Sequence, residues 1–295
     1  MSIMLDLDLA ADLRGAHDRG EIVLNYQPEI DLASGAVVGM EALMRWAHPR
    51  RGLLAPDAFL EVAHKAGLLL PLSAWVLERC AAERACWDHL PVHPTVGLCQ
   101  LWVNVAAVQL SSEGFVDTVR DLFARYELPK RGLGLEFSES TLGDVGSAAT
   151  PLLLELREVG CALAVDDFGT WYSSLARFDD LPVDAVKLDR RFVRGLGVDL
   201  EDDSIVAAVV RLAHARNLYV VAEGVESWTE GARLCELGCD RAHGFLFCGP
   251  QSAPRARSML AHGGGWTPQS PESLIRAANG APDTFARSAG RITRQ

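Results

Sequence analysis

CALAVDDFGTWYSSLARFDDLPVDAVKLDRRF, residues 161–192, is the stretch from which the rest of the chain is read. It opens with an apolar run, Cys161 to Val165, that has the composition of a buried strand, and this run meets two adjacent carboxylates, Asp166 and Asp167. A Gly-Thr turn and a short helix after Tyr172 follow, then a second strand, Ala185 to Leu188, which carries Lys187 and leads into Asp189. Charged groups at the ends of buried strands are costly unless a counter-charge or a reaction uses them. The first strand is expected to end at the acids and fray into a loop, so that neighbouring side chains can face two adjacent cations.

The flanking sequence repeats this arrangement. A lead-in helix is expected over Leu5–Arg19, followed by a strand at Ile22–Tyr26 that Gln27-Pro28 stops. A turn at Asp31–Gly35 then returns the chain as a second strand, Val37–Leu43, antiparallel to the first. Beyond it, helices and strands alternate. Strands are expected at Leu98–Val105, Leu133–Phe137, Cys161–Val165, Ala185–Leu188, Leu218–Ala222 and Asp240–Ala242. Helices are expected at Pro56–Lys65, Ser73–Asp88, Gly114–Tyr126, Ser147–Val159, Asp203–Arg216 and Thr229–Leu237. About eight strands over about 250 residues point to a closed α/β barrel, made irregular by its antiparallel opening. The barrel domain is placed at residues 1–262. A Gly-, Ser-, Pro- and Arg-rich extension is placed at 263–295, with a short helix at Glu272–Ala278.

Composition narrows the function. The chain has 295 residues, 49% of them hydrophobic, and a net charge of −11. Such an acidic balance argues against a duplex nucleic-acid binder but allows a small phosphorylated substrate if metal ions reverse the local sign. The seven cysteines follow no framework spacing and suit reduced thiols. Cys235 and Cys239 lack the second pair that a zinc site needs and read as packing residues. No leader pattern opens the chain and no apolar run approaches the ~18 residues of a membrane span. The expectation is a soluble, cytoplasmic protein.

Polar side chains recur at one end of the strands: Glu41, Asn104, Glu136 with Glu139, Asp166 and Asp167, Lys187, Glu223 with Glu226, and His243. In a parallel barrel these ends share a mouth where the chemistry takes place. Each has a structural reading when taken alone. An Asp after a strand commonly caps a helix, paired glutamates commonly form a solvated helix face, Asn104 suits a turn, and Lys187 suits a salt bridge. Their repeated placement after apolar strands favours a shared site. Crowded carboxylates raise one another's pKa unless a cation is present, and oxygen donors suit Mg²⁺ or Mn²⁺. Two such ions, about 3.5–4 Å apart, can activate a water and stabilise a phosphoryl group in an in-line displacement. Lys187 could hold that water or neutralise a phosphate oxygen. Phosphodiester hydrolysis is the resulting hypothesis.

These residues resemble the motifs of the EAL-domain cyclic di-GMP phosphodiesterases. The resemblance rests on Glu41-Ala42-Leu43, Tyr26-Gln27-Pro28, Asn104-Val105, Glu136-Phe137-Ser138-Glu139, Asp166 to Thr170 with Tyr172 to Leu175, Leu181 to Asp184, Lys187-Leu188-Asp189 and Ala222 to Glu226. It spans about residues 8–258 and implies a modified TIM (β/α)₈ barrel with one antiparallel strand. It further implies that Glu41, Asn104, Glu136, Asp166, Asp167 and Glu223 bind two metal ions, and that Lys187 positions the water. Glu139 would steady the loop after Asp167, Glu226 would be a further active-site glutamate, and Gln27, Arg45 and Glu41 would meet the dinucleotide. Arg45 suits this role because a guanidinium grips phosphate through two donors. The implied product is linear pGpG, and the implied assembly is a homodimer.

The chain departs from the family pattern at several places. Trp171 replaces a glycine, so the loop is either reshaped or packed at a dimer face. His243 replaces a glutamine; imidazole can take over the amide's hydrogen bond but also titrates near neutrality, which would alter the pH dependence of activity. Glu29 and His64 are further departures, expected to be peripheral. Trp171 and His243 motivate an alternative, a catalytically silent cyclic di-GMP receptor or interaction domain.

Overall fold

The computed structural model describes residues 2–90, 98–169, 181–198 and 200–262. The strands are β1 (Ile22–Asp31), β2 (Val37–His48), β3 (Gly52–Leu54), β4 (Gln100–Asn104), β5 (Leu133–Ser138), β6 (Ala162–Phe168), β7 (Ala185–Leu188), β8 (Tyr219–Ala222), β9 (Arg241–Ala242) and β10 (Gln251–Ser252). Eight of them form the ring β1-β9-β8-β7-β6-β5-β4-β2, closed where β1 pairs with β2. β3 and β10 attach outside the ring. β1 is antiparallel to both of its ring neighbours, and the remaining ring pairs are parallel. The fold is therefore the modified TIM barrel expected from the sequence.

Side-chain alternation builds its two cores. Leu101, Val103, Leu135, Leu163, Val165, Val186 and Val220 belong to the large buried layer that also holds Val119, Leu153 and Val210 from the surrounding helices. Trp102, Ala162, Ala164 and Ala185 form a separate cluster. They occupy the alternate strand positions, which face the barrel axis. Trp102 fills this space at the expense of its neighbour: a Cβ on Gly134 would lie 2.1 Å from the indole ring, so only glycine fits there. The helices end where the sequence places suitable residues. Ser227 and Glu230 form a reciprocal capping box on Trp228–Leu237, and Gly238 closes that helix in the left-handed conformation.

Below the indole lies a polar floor. Arg241 Nη1 donates to Glu29 Oε1 at 2.7 Å and to Gln100 Oε1 at 2.8 Å, and its guanidinium sits 3.9 Å from the Tyr219 ring centroid. Tyr219 also donates to Gln100 Oε1. Glu29 is 2% exposed, so it is not peripheral as expected from the sequence; its counter-charge comes from a residue far away in the chain.

Several boundaries differ from expectation. The N-terminal helix covers Ser2–Leu13, and Leu9 and Leu13 pack against Trp46 and Phe59. β1 continues through Gln27 and Pro28 to Asp31. Proline is tolerated because β1 has no partner between Tyr26 and Ile30 on its β9/β10 side, where no ladder bond is lost. β2 continues to His48, paired along most of its length with β1. Among the described residues no helix is long and apolar enough to cross a membrane. Trp171, the short helix expected after Tyr172 and the extension at 263–295 with its helix at Glu272–Ala278 lie outside the described residues.

Candidate active site

The mouth is built by strand register. Glu41 on β2 lies opposite Gln27 on β1, and Asn104 at the end of β4 lies beside Glu136 on β5. Lys187 is on β7, Glu223 directly follows β8, and His243 directly follows β9. These alternate positions point along the barrel axis above Trp102 and converge there. Lys187 is 1% exposed, and its Nζ lies 2.7 Å from Glu223 Oε1, 2.8 Å from Glu136 Oε1 and 3.2 Å from Glu41 Oε2. Asn104 Nδ2 donates to Glu41 Oε1 at 2.9 Å. His243 Nε2 lies 3.1 Å from Glu223 Oε1 and 3.6 Å from Glu41 Oε2.

The two aspartates reach the mouth by an unexpected route. β6 does not fray after Val165; it runs on through both acids to Phe168. Val165 pairs with Val186 and Phe168 with Leu188, so β6 carries one extra residue in this interval. Asp167, at φ 53°, adopts the left-handed backbone within that bulge. Regular alternation would send Asp166 inward and Asp167 outward. The bulge breaks the alternation, and ligand atoms of Asp166, Asp167 and Glu223 lie within 4.8 Å of one another. A second group, Glu41, Glu223 and His243, meets the same limit, with Glu223 common to both.

Charge in the mouth is unbalanced. Glu41, Glu136, Asp166, Asp167 and Glu223 face one ammonium and one imidazole. Burial pushes the carboxyls of Glu136 and Asp166 well above the usual range. Burial, reinforced by the Glu223 charge and a hydrogen bond with Asp189, pushes Asp167 to about 6. Burial alone would lower Lys187, but Glu136, Glu223 and Glu41 hold it above its ordinary value. Burial opposes ionisation of Glu223 too, yet Lys187 and His243 overcome it and hold its carboxyl low. His243 is likewise raised by Glu223 against its burial. Glu136 is fully buried; its Oε1 has Lys187 Nζ at 2.8 Å, and its Oε2 has no hydrogen-bond partner among the described residues. An oxygen-rich donor set with surplus negative charge and an unsatisfied buried oxygen suits hard divalent cations.

The other candidates lie around this centre. Gln27 is buried beside Glu41, with its amide donating to the Cys248 carbonyl at 3.3 Å. Arg45, half-buried on the same face of β2, donates to the Met44 carbonyl at 2.8 Å. Glu139 is buried at the start of helix Glu139–Val145, which Ser138 caps, and belongs to neither ligand group. Glu226 also belongs to neither; its side chain is 51% exposed, with Arg194 at 3.9 Å. The sequence reading left Asp189 without a role; it caps the helix Arg190–Val193 by accepting from the Arg191 N–H, and its nearby carboxylate helps to raise Asp167. Its position directly after a buried strand and before a helical segment was the available signal.

The EAL domain family profile matches residues 10–250. The chain belongs to the EAL domain family. It is 38% identical over 258 residues to the bifunctional diguanylate cyclase/cyclic di-GMP phosphodiesterase MucR of Pseudomonas aeruginosa, covering 86% of this chain and 37% of MucR. It is 35% identical over 245 residues to the cyclic di-GMP phosphodiesterase PdeR of Escherichia coli, covering 83% and 36%. The chain thus spans about two fifths of these relatives' length. Among solved structures, the PaMucR phosphodiesterase in complex with c-di-GMP superposes with a TM-score of 0.79 at 38% identity, covering 84% of this chain and 99% of that one. The EAL enzyme Bd1971 in its cAMP- and cyclic-di-GMP-bound form gives 0.81 at 26% identity, covering 88% and 70%.

Proposed function

We propose that the barrel, residues 1–262, is a metal-dependent phosphodiesterase that hydrolyses cyclic di-GMP to linear pGpG. The observation that carries this reading is the surplus of buried carboxylates around Lys187, divided into two groups that share Glu223. The names of the relatives supply the substrate.

Glu41, Asn104, Glu136, Asp166, Asp167 and Glu223 would hold two Mg²⁺ or Mn²⁺ ions, Asn104 through its amide oxygen. When bound, such a pair lowers the pKa of water and neutralises phosphoryl oxygens. The Lys187 ammonium is positioned by Glu223, Glu136 and Glu41, and ions drawing on those carboxylates would release an N–H to orient the attacking water. Arg45, which gives one donor to the Met44 carbonyl, keeps further guanidinium donors for the phosphate, and Gln27 lines the wall beside Glu41. Asp189 lies beside Asp167, Glu139 supports the β5 rim, and Glu226 stands at the outer edge. In the reaction, the water oxygen forms a bond to phosphorus as one ester P–O bond breaks, and the departing sugar oxygen takes up a proton. A homodimer and a cytoplasmic location complete the proposal.

Incubation of the chain with cyclic di-GMP and Mg²⁺ or Mn²⁺, from about pH 6 to about pH 9, is expected to yield pGpG by chromatography. Binding without product would instead favour the silent receptor. Folded protein that neither binds nor cleaves the dinucleotide would overturn both readings.

A further inference from the structure

His243 stands in the ligand group that includes Glu41, and its position is fixed by the backbone on both sides. Its N–H donates to the Ala222 carbonyl at 2.9 Å, and its carbonyl accepts from the Val225 N–H at 3.1 Å. Gly244 follows, and a Cβ there would lie 2.1 Å from the Val225 oxygen, so the chain passes closer than any other residue allows. The ring is therefore held beside Glu223, the residue next to Ala222.

Its Nε2 separations, 3.1 Å to Glu223 Oε1 and 3.6 Å to Glu41 Oε2, resemble those between ligands of one cation. Adjacent donors with bonds of ~2.1 Å at right angles are about 3 Å apart. The same Glu223 oxygen also lies 2.7 Å from Lys187 Nζ, so without an ion it takes both nitrogens as hydrogen-bond partners. Nδ1 is buried with no partner among the described residues. Ligation through Nε2 places the ring proton on Nδ1, so the bound ion must outweigh a buried N–H that has no acceptor among the described residues.

We infer that His243 Nε2 is a ligand, with Glu41 and Glu223, to one divalent ion. The site is thereby tuned away from Mg²⁺ toward Mn²⁺ and the later first-row ions. The inference rests on the metal-dependent reading above. Mg²⁺ prefers oxygen donors and retained water, whereas an imidazole nitrogen raises affinity for transition ions.

Pulsed electron paramagnetic resonance of the Mn²⁺-loaded full chain, prepared without a histidine tag, tests it. The native protein should show nitrogen modulation from a directly bound imidazole. His243→Gln should lose that modulation while still binding Mn²⁺, and its preference for Mn²⁺ over Mg²⁺ in competition titrations should fall by about tenfold. Bound Mn²⁺ without nitrogen modulation, or modulation that survives in His243→Gln, would overturn the inference and leave the phosphodiesterase reading standing. Failure of the native chain to bind Mn²⁺ or Mg²⁺ would remove both.

Discussion

The barrel encloses two sets of charged side chains, separated by Trp102, and they are balanced differently. At the floor, one carboxylate meets one guanidinium: Glu29 and Arg241 lie 2.7 Å apart, with Gln100 and Tyr219 taking up the remaining donors and acceptors. At the mouth, five carboxylates crowd one ammonium and one imidazole, and Glu136 Oε2 has no hydrogen-bond partner among the described residues. Burial alone does not distinguish them, since Glu29 and Glu136 are both almost wholly enclosed. Charge balance does. A neutral, saturated group needs nothing more from outside, whereas a surplus of acid requires a partner that the chain does not supply.

The strongest way to break this contrast is at Glu41. Glu41→Ala should lower pGpG formation on the order of 10²–10³-fold, the range seen when a group facing developing charge is removed. Unchanged turnover would show that the mouth is not the reaction centre. Lys187→Met should slow cleavage while leaving ion binding intact. In chelator it should also reduce unfolding free energy by about 3 kcal/mol, because buried acids lose their counter-charge. Denaturant titrations with and without Mn²⁺ check this: added ion should restore more stability to the variant than to the native chain.

At the floor, Arg241→Met should cost about 2–3 kcal/mol, and Glu29→Leu combined with Arg241→Met should recover much of that loss. Neither change should respond to Mn²⁺. A floor variant rescued by the ion as fully as Lys187→Met would erase the distinction. The smallest effect is a pH dependence. Without metal, Asp167 is raised from 3.8 to about 6, so its stabilising contribution is complete below about pH 4 and lost as pH rises through about 6. Thermal unfolding of chelator-treated protein over this window should show that trend, and Asp167→Asn should flatten it.

The sequence disclosed much of the mouth because its polar residues interrupt apolar strands. Asn104, Glu136, Lys187 and Glu223 stand at or near the end of such a run, Glu41 lies within the long β2, and parallel register brings them together. The floor was hidden for the opposite reason. Glu29 finds its charge partner only after 212 further residues, through ring closure, and an isolated acid beside a proline resembles a turn residue. The path of β6 was also hidden, since a bulge is a matter of register between two strands and leaves no mark in the composition of one. β3 and β10 are too short to show a periodicity, and each exists because a longer neighbour offers it an edge.

A strand sorts its residues by odd and even place, and neighbours in the chain normally belong to opposite sides. The uncounted residue in β6 suspends that parity for a single step, so two consecutive codons serve the same cavity. Excising either Asp166 or Asp167, the two residues between Val165 and Phe168, would restore strict parity and leave the cavity a single acid from this strand. The spacing of this segment therefore shapes the acidic mouth as much as the identity of its side chains does.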